Sequence, residues 1–169
     1  VEGWNVDKND TRVAGGRYHN FKDLMKFPVC GRYDLKYPVW EPVFKPELNG
    51  KESLLTLIRQ KDRSLHYPFH SFDTFIRVLR EAAISKEVKS IKMTLYRLAK
   101  ESKVIKALIC AAKNGKKVTV VIELLARFDE ASNINWSKRR QDAGIHVIFG
   151  VEGLKIHPKL VHIGTRHGD

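Results

Sequence analysis

The chain has 169 residues, of which 43% are hydrophobic, and it carries a formal net charge of +12 at pH 7. That length suffices for one buried core with a small appendage, and no stretch approaches the roughly 20 apolar residues of a membrane span. The first residues, VEGWNVDKND, do not form a signal peptide, so we expect a soluble intracellular protein. Cys30 and Cys110 lack metal-ligand spacing and are expected to be free thiols, with Cys110 on the apolar side of a helix.

The positive charge is concentrated in the second half of the chain. Residues 1–84 contain 14 basic and 11 acidic side chains, whereas residues 85–169 contain 17 basic and 8 acidic side chains. A surplus of this size favours a polyanionic partner such as nucleic acid, a nucleotide, polyphosphate or an anionic membrane.

The first 48 residues contain most of the prolines and show helical periodicity only around positions 19–26. We interpret residues 1–48 as the end of a preceding domain with its connector, and residues 49–169 as a second domain. The start at Val1 and the strand-like end, KLVHIGTRHGD, suggest a piece of a longer protein.

The second segment opens with regular elements. A short helix is expected at about residues 51–61, and Ser71 is a candidate N-cap for a helix with apolar residues at helical spacing. A strand is then expected at residues 88–96, where Ile91, Met93 and Leu95 alternate with polar residues.

Helices and strands then alternate. We expect helices at about residues 102–113 and 131–143, and strands at 117–125 and 145–149, with Gly residues ending both helices. Together with the strand at 88–96 this order is a βαβαβ unit. Its strands should be parallel and its crossovers right-handed, which places the chain in the α/β class.

Three residues at intervals of 30 follow these strands: Arg97, Arg127 and His157. About 30 residues is the length of one strand-helix repeat, so all three should project from one edge of the sheet. Open α/β folds bind ligands at that edge. Two guanidiniums and an imidazole there indicate a phosphate site with a histidine that could act as a nucleophile.

Lys159 follows His157 by two residues, so in an extended segment both side chains lie on the same face. The ammonium would then support the charge of a transferring phosphoryl group and favour the neutral, nucleophilic imidazole. The H-x-K pattern alone is common by chance. It also departs from the phospholipase D-type pattern, because Gly164 occupies the position of the expected Asp. Two further histidines, His66 and His70, lie four residues apart in a Pro-containing loop and are poor candidates for a metal site.

Four segments resemble the long, histidine-phosphorylated polyphosphate kinase family: HYPFHSFD, IKMTLYR, VTVVIELLARFDE and GLKIHPKL. The segment RYHNFKDLMKFP is similar to the end of that family's head domain. The resemblance implies that residues 49–169 are part of the first phospholipase D-like catalytic domain, whose sheet is flanked by helices. It also implies a cytoplasmic enzyme, often an oligomer associated peripherally with membrane, which reversibly transfers the terminal phosphate of ATP to inorganic polyphosphate.

By the same resemblance, His157 is the residue that becomes phosphorylated, and Arg97 and Arg127 belong to the magnesium-phosphate site. A guanidinium cannot ligate Mg²⁺, so we interpret both arginines as phosphate clamps beside a metal held mainly by phosphate oxygens and water. The resemblance also implies that the second half of the active site and part of the ATP site lie outside these residues.

Two alternatives come from other functional classes. A phospholipase D-type nuclease or lipase would use the same scaffold, but it would need the missing Asp and a second complete motif. A non-catalytic nucleic-acid-binding module would explain the charge, but it leaves the 30-residue array without a purpose. The aromatic residues of the basic half are expected mostly in the core, which argues against a base-stacking platform; they are Tyr96, Phe128, Trp136 and Phe149.

Overall fold

The computed structural model describes residues 20–96, 102–123, 144–150 and 153–166. The chain divides into two compact units, Val1–Trp40 and Glu41–Asp169. The domain boundary expected after residue 48 stays a prediction.

The described part of the first unit, residues 20–40, contains two short 3-10 helices, Phe21–Lys26 and Tyr33–Leu35. The Asn20 side chain caps the first of them by accepting a hydrogen bond from the backbone N–H of Lys22 at 3.1 Å. Because residues 20–40 contain only these two short 3-10 helices, the irregular structure expected for this segment is confirmed over these residues.

The second unit contains most of the regular structure. After a short 3-10 helix at Pro46–Leu48, its helices are α1 (Leu54–Gln60), α2 (Asp73–Ile84) and α3 (Lys103–Lys113). Its strands are β1 (Val88–Leu95), β2 (Lys117–Ile122), β3 (His146–Phe149) and β4 (Val161–Thr165). Among the described residues, no helix has the length and apolar character needed to cross a membrane.

Local capping explains where the first helices begin. The Ser53 hydroxyl accepts a hydrogen bond from the N–H of Thr56 at 3.1 Å, so α1 begins at Leu54 rather than at residue 51. The Ser71 hydroxyl accepts from the N–H of Asp73 at 3.2 Å, the first residue of α2. Ser71 thus makes the expected capping bond, although Phe72 already has helical backbone angles.

The described strands form one sheet in the order β3-β2-β1-β4. β1 pairs with β2, and β2 with β3, in parallel, which confirms the expected orientation of the βαβαβ unit. β4 pairs antiparallel to β1, with Met93 opposite Val161 and Lys92 opposite His162. The predicted helix at 131–143 lies outside the described residues.

The core lies between the sheet and the helices α2 and α3. Burial along β2 alternates, with Val118, Val120 and Ile122 inside, as expected for a strand with one covered face. Leu79 of α2 and Leu108 of α3 are fully buried in the same cluster. Both cysteines are free thiols, as expected, but the expected placement of Cys110 on the apolar side of the helix was wrong. Cys110 is exposed, and the buried positions of α3 are Val104, Ile105, Ala107, Leu108 and Ala111.

Candidate active site at the carboxyl edge of the sheet

The carboxyl ends of β1 and β2 lie side by side. Leu95 is in register with Ile122, and the N–H of Glu123 continues the ladder by donating to the carbonyl of Leu95 at 3.2 Å. Tyr96 follows β1 and Glu123 follows β2, so both side chains start from the edge at which parallel sheets bind ligands.

The segment that carries His157 is attached to this edge on both sides of the histidine. Before it, the N–H of Ile156 donates to a carboxylate oxygen of Glu123 at 2.9 Å. After it, the Thr94 hydroxyl donates to the carbonyl of Pro158 at 2.7 Å. His157 therefore lies between the ends of two neighbouring strands with its side chain exposed.

Thr94 also fixes the start of β4. Its hydroxyl accepts a hydrogen bond from the N–H of Leu160 at 2.9 Å, and its backbone N–H donates to the carbonyl of Leu160 at 3.0 Å. One β1 residue thus holds the chain at two positions after His157, directly before β4 begins at Val161.

An aromatic ring contacts the imidazole, and two cations lie near that ring. The ring of Tyr96 contacts that of His157 edge to face, with centroids 5.4 Å apart and planes inclined by 83°. The ammonium of Lys159 lies 4.9 Å from the centroid of the Tyr96 ring, and that of Lys155 lies 6.0 Å from it. Both distances are within the range of cation–π attraction.

Lys159 also donates a hydrogen bond from Nζ to the carbonyl oxygen of its near neighbour His157 at 2.7 Å. The ammonium of this exposed lysine is thereby held beside the histidine segment. An exposed imidazole with adjacent positive charge suits attack on a phosphoryl group, since the cations offset the negative charge of the substrate.

The structure brings His157 and Lys159 to the expected edge of the sheet. Arg97 directly follows Tyr96, and Arg127 follows Glu123 by four residues, but both arginines lie outside the described residues. Their convergence on His157 stays a prediction, as does the role of Lys159 in supporting charge.

Three residues of this site were not predicted from the sequence as site residues: Thr94, Tyr96 and Glu123. Thr94 and Glu123 are polar residues within or at the end of apolar strands, a signal that could have marked them. The expected core placement of the aromatic residues is wrong for Phe149, which is 45% exposed, whereas Tyr96 is half-buried with its ring against that of His157. Phe128 and Trp136 lie outside the described residues.

His66 and His70 contact each other within one loop. The N–H of His66 donates to Nδ1 of His70 at 2.8 Å, across a turn that contains the cis Tyr67–Pro68 peptide bond. Within residues 20–96, 102–123, 144–150 and 153–166, no group of three or more His, Cys, Asp or Glu side chains could hold a metal ion.

Comparison with known proteins identifies relatives along nearly the whole chain. The sequence model of the family "Polyphosphate kinase C-terminal domain 1" matches residues 53–169. Polyphosphate kinase of Vibrio vulnificus (strain YJ016) is 50% identical over 161 residues, which are 95% of this chain and 23% of the relative. That of Escherichia coli (strain K12) is 44% identical over 95% of this chain and 24% of the relative. The chain thus spans about a quarter of the length of these relatives.

A solved structure shows the same fold. The crystal structure of polyphosphate kinase from Porphyromonas gingivalis superposes with a TM-score of 0.72 at 40% identity, over 91% of this chain and 26% of that one. The expected fold class, an α/β phospholipase D-like sheet flanked by helices, is therefore confirmed. On the family match over residues 53–169 and these similarities, the chain belongs to the polyphosphate kinase family.

Proposed function

We propose that this chain is the part of a polyphosphate kinase that carries the nucleophile, His157. The whole enzyme would transfer the terminal phosphate of ATP reversibly to inorganic polyphosphate through a phosphohistidine. The observation that carries this proposal is the exposed imidazole at the carboxyl edge of the sheet, fixed between the ends of β1 and β2 beside the ammonium of Lys159.

The proposed reaction has two displacements at phosphorus. In the first, a neutral imidazole nitrogen of His157 forms a bond to the γ-phosphorus of ATP as the bond to the bridging oxygen breaks, and ADP leaves. In the second, a terminal oxygen of polyphosphate attacks the same phosphorus, and the phosphorus–nitrogen bond breaks. The polymer is then one phosphate longer and the imidazole is regenerated. A single nucleophile thus avoids direct contact between two polyanions.

The positive charge of this half of the chain fits polyanionic substrates, since residues 85–169 contain 17 basic and 8 acidic side chains. In the proposal, Arg97 and Arg127 clamp the transferring phosphoryl group with bidentate hydrogen bonds. In the proposal, Mg²⁺ enters with the ATP phosphates and is held mainly by phosphate oxygens and water near both arginines.

The remaining domains of the parent chain would supply the second half of the site. Because this chain corresponds to about a quarter of its relatives, we propose that the complete protein provides the rest of the ATP and polyphosphate sites. The proposal includes a homo-oligomeric, cytoplasmic enzyme with peripheral membrane association and no specific nucleic-acid partner.

The test is transfer of radiolabel from γ-labelled ATP to the full-length parent protein. Samples quenched in alkali retain phosphohistidine, and subsequent acid treatment hydrolyses it and releases the labelled phosphate. We expect an acid-labile label in the wild type, and complete loss of both the label and polyphosphate synthesis in His157→Ala, since no neighbouring group can replace a covalent nucleophile.

His146→Ala is a matched control, because His146 is an exposed histidine at the start of β3, at the opposite end of the parallel strands from His157. This variant should be labelled like the wild type. Undiminished labelling of His157→Ala would refute the assignment of the nucleophile.

A further inference from the structure

We propose that Glu123 and Thr94 are positioning residues that together hold the backbone on both sides of His157, so that its imidazole is oriented for attack. This inference rests on the proposed function, since it concerns the nucleophile of that reaction. It adds two residues that act on the histidine through the chain rather than through the substrate.

Glu123 provides the hold before the histidine. The residue is only 8% exposed, and its backbone is fixed by the hydrogen bond from its N–H to Leu95 at the end of β1. Its carboxylate accepts from the N–H of Ile156 at 2.9 Å. Hydrogen bonds to an ionised acceptor are roughly twice as strong as neutral ones, so this contact restrains the residue next to His157 firmly.

Thr94 provides the hold after the histidine. Its hydroxyl uses both of its functions, donating to the carbonyl of Pro158 at 2.7 Å and accepting from the N–H of Leu160 at 2.9 Å. The proline ring already fixes one backbone angle of Pro158, so the hydroxyl removes much of the freedom that remains. The residues directly before and after His157 are thus tied to adjacent strands.

This arrangement matters because residues 155–160 lie in neither a helix nor a strand. Their path depends on contacts with neighbouring elements, whereas β1 and β2 are fixed by the core. A misplacement of about 1 Å in a reacting group can cost on the order of 100-fold in rate, so a nucleophile on an irregular segment gains from such restraints. The edge contact with Tyr96 then sets the ring on a backbone that is already placed.

The experiment measures single-turnover phosphorylation of His157 in the full-length protein at saturating γ-labelled ATP, with KM for ATP and the melting temperature for each variant. Thr94→Val keeps the shape and removes both hydroxyl bonds. We expect its phosphorylation rate to fall on the order of 10- to 100-fold with little change in KM, because geometry and not ATP binding is affected. Thr94→Ser retains the hydroxyl and should recover most of the rate.

Thr74→Val is the matched control for the same chemical change. Thr74 is 2% exposed in α2, and among the described residues its hydroxyl has no hydrogen-bond partner. Its replacement should leave the phosphorylation rate unchanged. If Thr94→Val fails to fold, Glu123→Gln tests the inference independently. The amide keeps an acceptor for Ile156 but loses the charge, so we expect a slower rate, by about 10-fold, at an unchanged melting temperature.

The outcomes separate this inference from the proposed function. If the wild type forms no phosphohistidine at His157, the proposed function fails. If the wild type is phosphorylated and both Thr94→Val and Glu123→Gln react at its rate, only the positioning role is overturned.

Discussion

The ammonium of Lys159 lies 4.9 Å from the centroid of the Tyr96 ring, and the same ring contacts the imidazole of His157 edge to face. The aromatic ring therefore connects the cation and the proposed nucleophile. Lys159 also donates a hydrogen bond to the carbonyl of His157, so two contacts fix the position of its charge.

We predict that Lys159→Met slows phosphorylation of His157 by about 100-fold, since a placed cation that offsets developing negative charge is lost. Lys159→Arg should retain most of the rate, because the charge and the contact with the aromatic face remain. The measurement is single-turnover labelling with γ-labelled ATP. Lys155→Met is the matched control, as its ammonium lies further from the ring, at 6.0 Å, and its loss should cost clearly less. Equal effects at both positions would contradict a specific role for Lys159.

A second prediction concerns the attachment of α1 to α2. The carboxylate of Glu81 in α2 accepts hydrogen bonds from the N–H of Leu54 at 2.8 Å and from the hydroxyl of Ser53, at the first turn of α1. Glu81→Ala would leave these donors without their partner, so we expect the free energy of unfolding to fall by about 1–3 kcal/mol. Urea unfolding followed by circular dichroism measures the change. Glu52→Ala alters an exposed carboxylate next to the same turn and should change stability by less than about 0.5 kcal/mol.

The sequence predicted the sheet well because its strands and helices have clear periodicity. The run VTVVIELL predicted β2, and Asn114-Gly115 marked the end of α3, where Gly115 has a φ of +75° that suits glycine. β2 ends at Ile122, and Glu123, which still bonds Leu95 through its N–H, directs its carboxylate to the histidine segment. The last two residues of the predicted strand, 124–125, lie outside the described residues. Periodicity describes which face is buried and contains no information about such a contact.

The site was predictable in part for the same reason. His157 was recognisable from its spacing and its family motif, whereas Thr94 acts on a segment that is 64 residues away in sequence. No local pattern pairs two such positions. Tyr96 was expected mainly in the core, and the contact between its half-buried ring and the imidazole could not be predicted from its position in the sequence.

A third prediction concerns the 169-residue chain by itself. It lacks about three quarters of the length of its relatives, including the proposed second half of the site. We expect no measurable ATP-dependent synthesis of polyphosphate by the purified 169-residue chain, with the full-length protein as the positive control. Sustained polymer synthesis by this chain, detected by incorporation of labelled phosphate, would show that the missing residues are not essential for catalysis.

The fourth prediction addresses the two arginines that the described residues do not include. If Arg97 and Arg127 stabilise charge on the transferred phosphoryl group, Arg97→Ala and Arg127→Ala should each slow labelling of His157 by on the order of 100- to 1000-fold in the full-length protein. The histidine remains present in both variants, so the label should accumulate slowly and stay acid-labile. Lysine at either position should restore the rate only partly, because it keeps the charge but loses the bidentate geometry.

The position of Arg80 provides the control for this prediction. It is an exposed arginine on α2, so Arg80→Ala removes the same charge from a helix surface rather than from a strand end and should leave labelling within a few-fold of the wild type. A general loss of positive charge would instead slow all three variants similarly and would be reproduced by raising the salt concentration, since screening weakens long-range attraction of ATP. A fall confined to Arg97→Ala and Arg127→Ala at saturating ATP would therefore identify these two guanidiniums as direct partners of the phosphoryl group. Wild-type rates in both variants would remove them from the site.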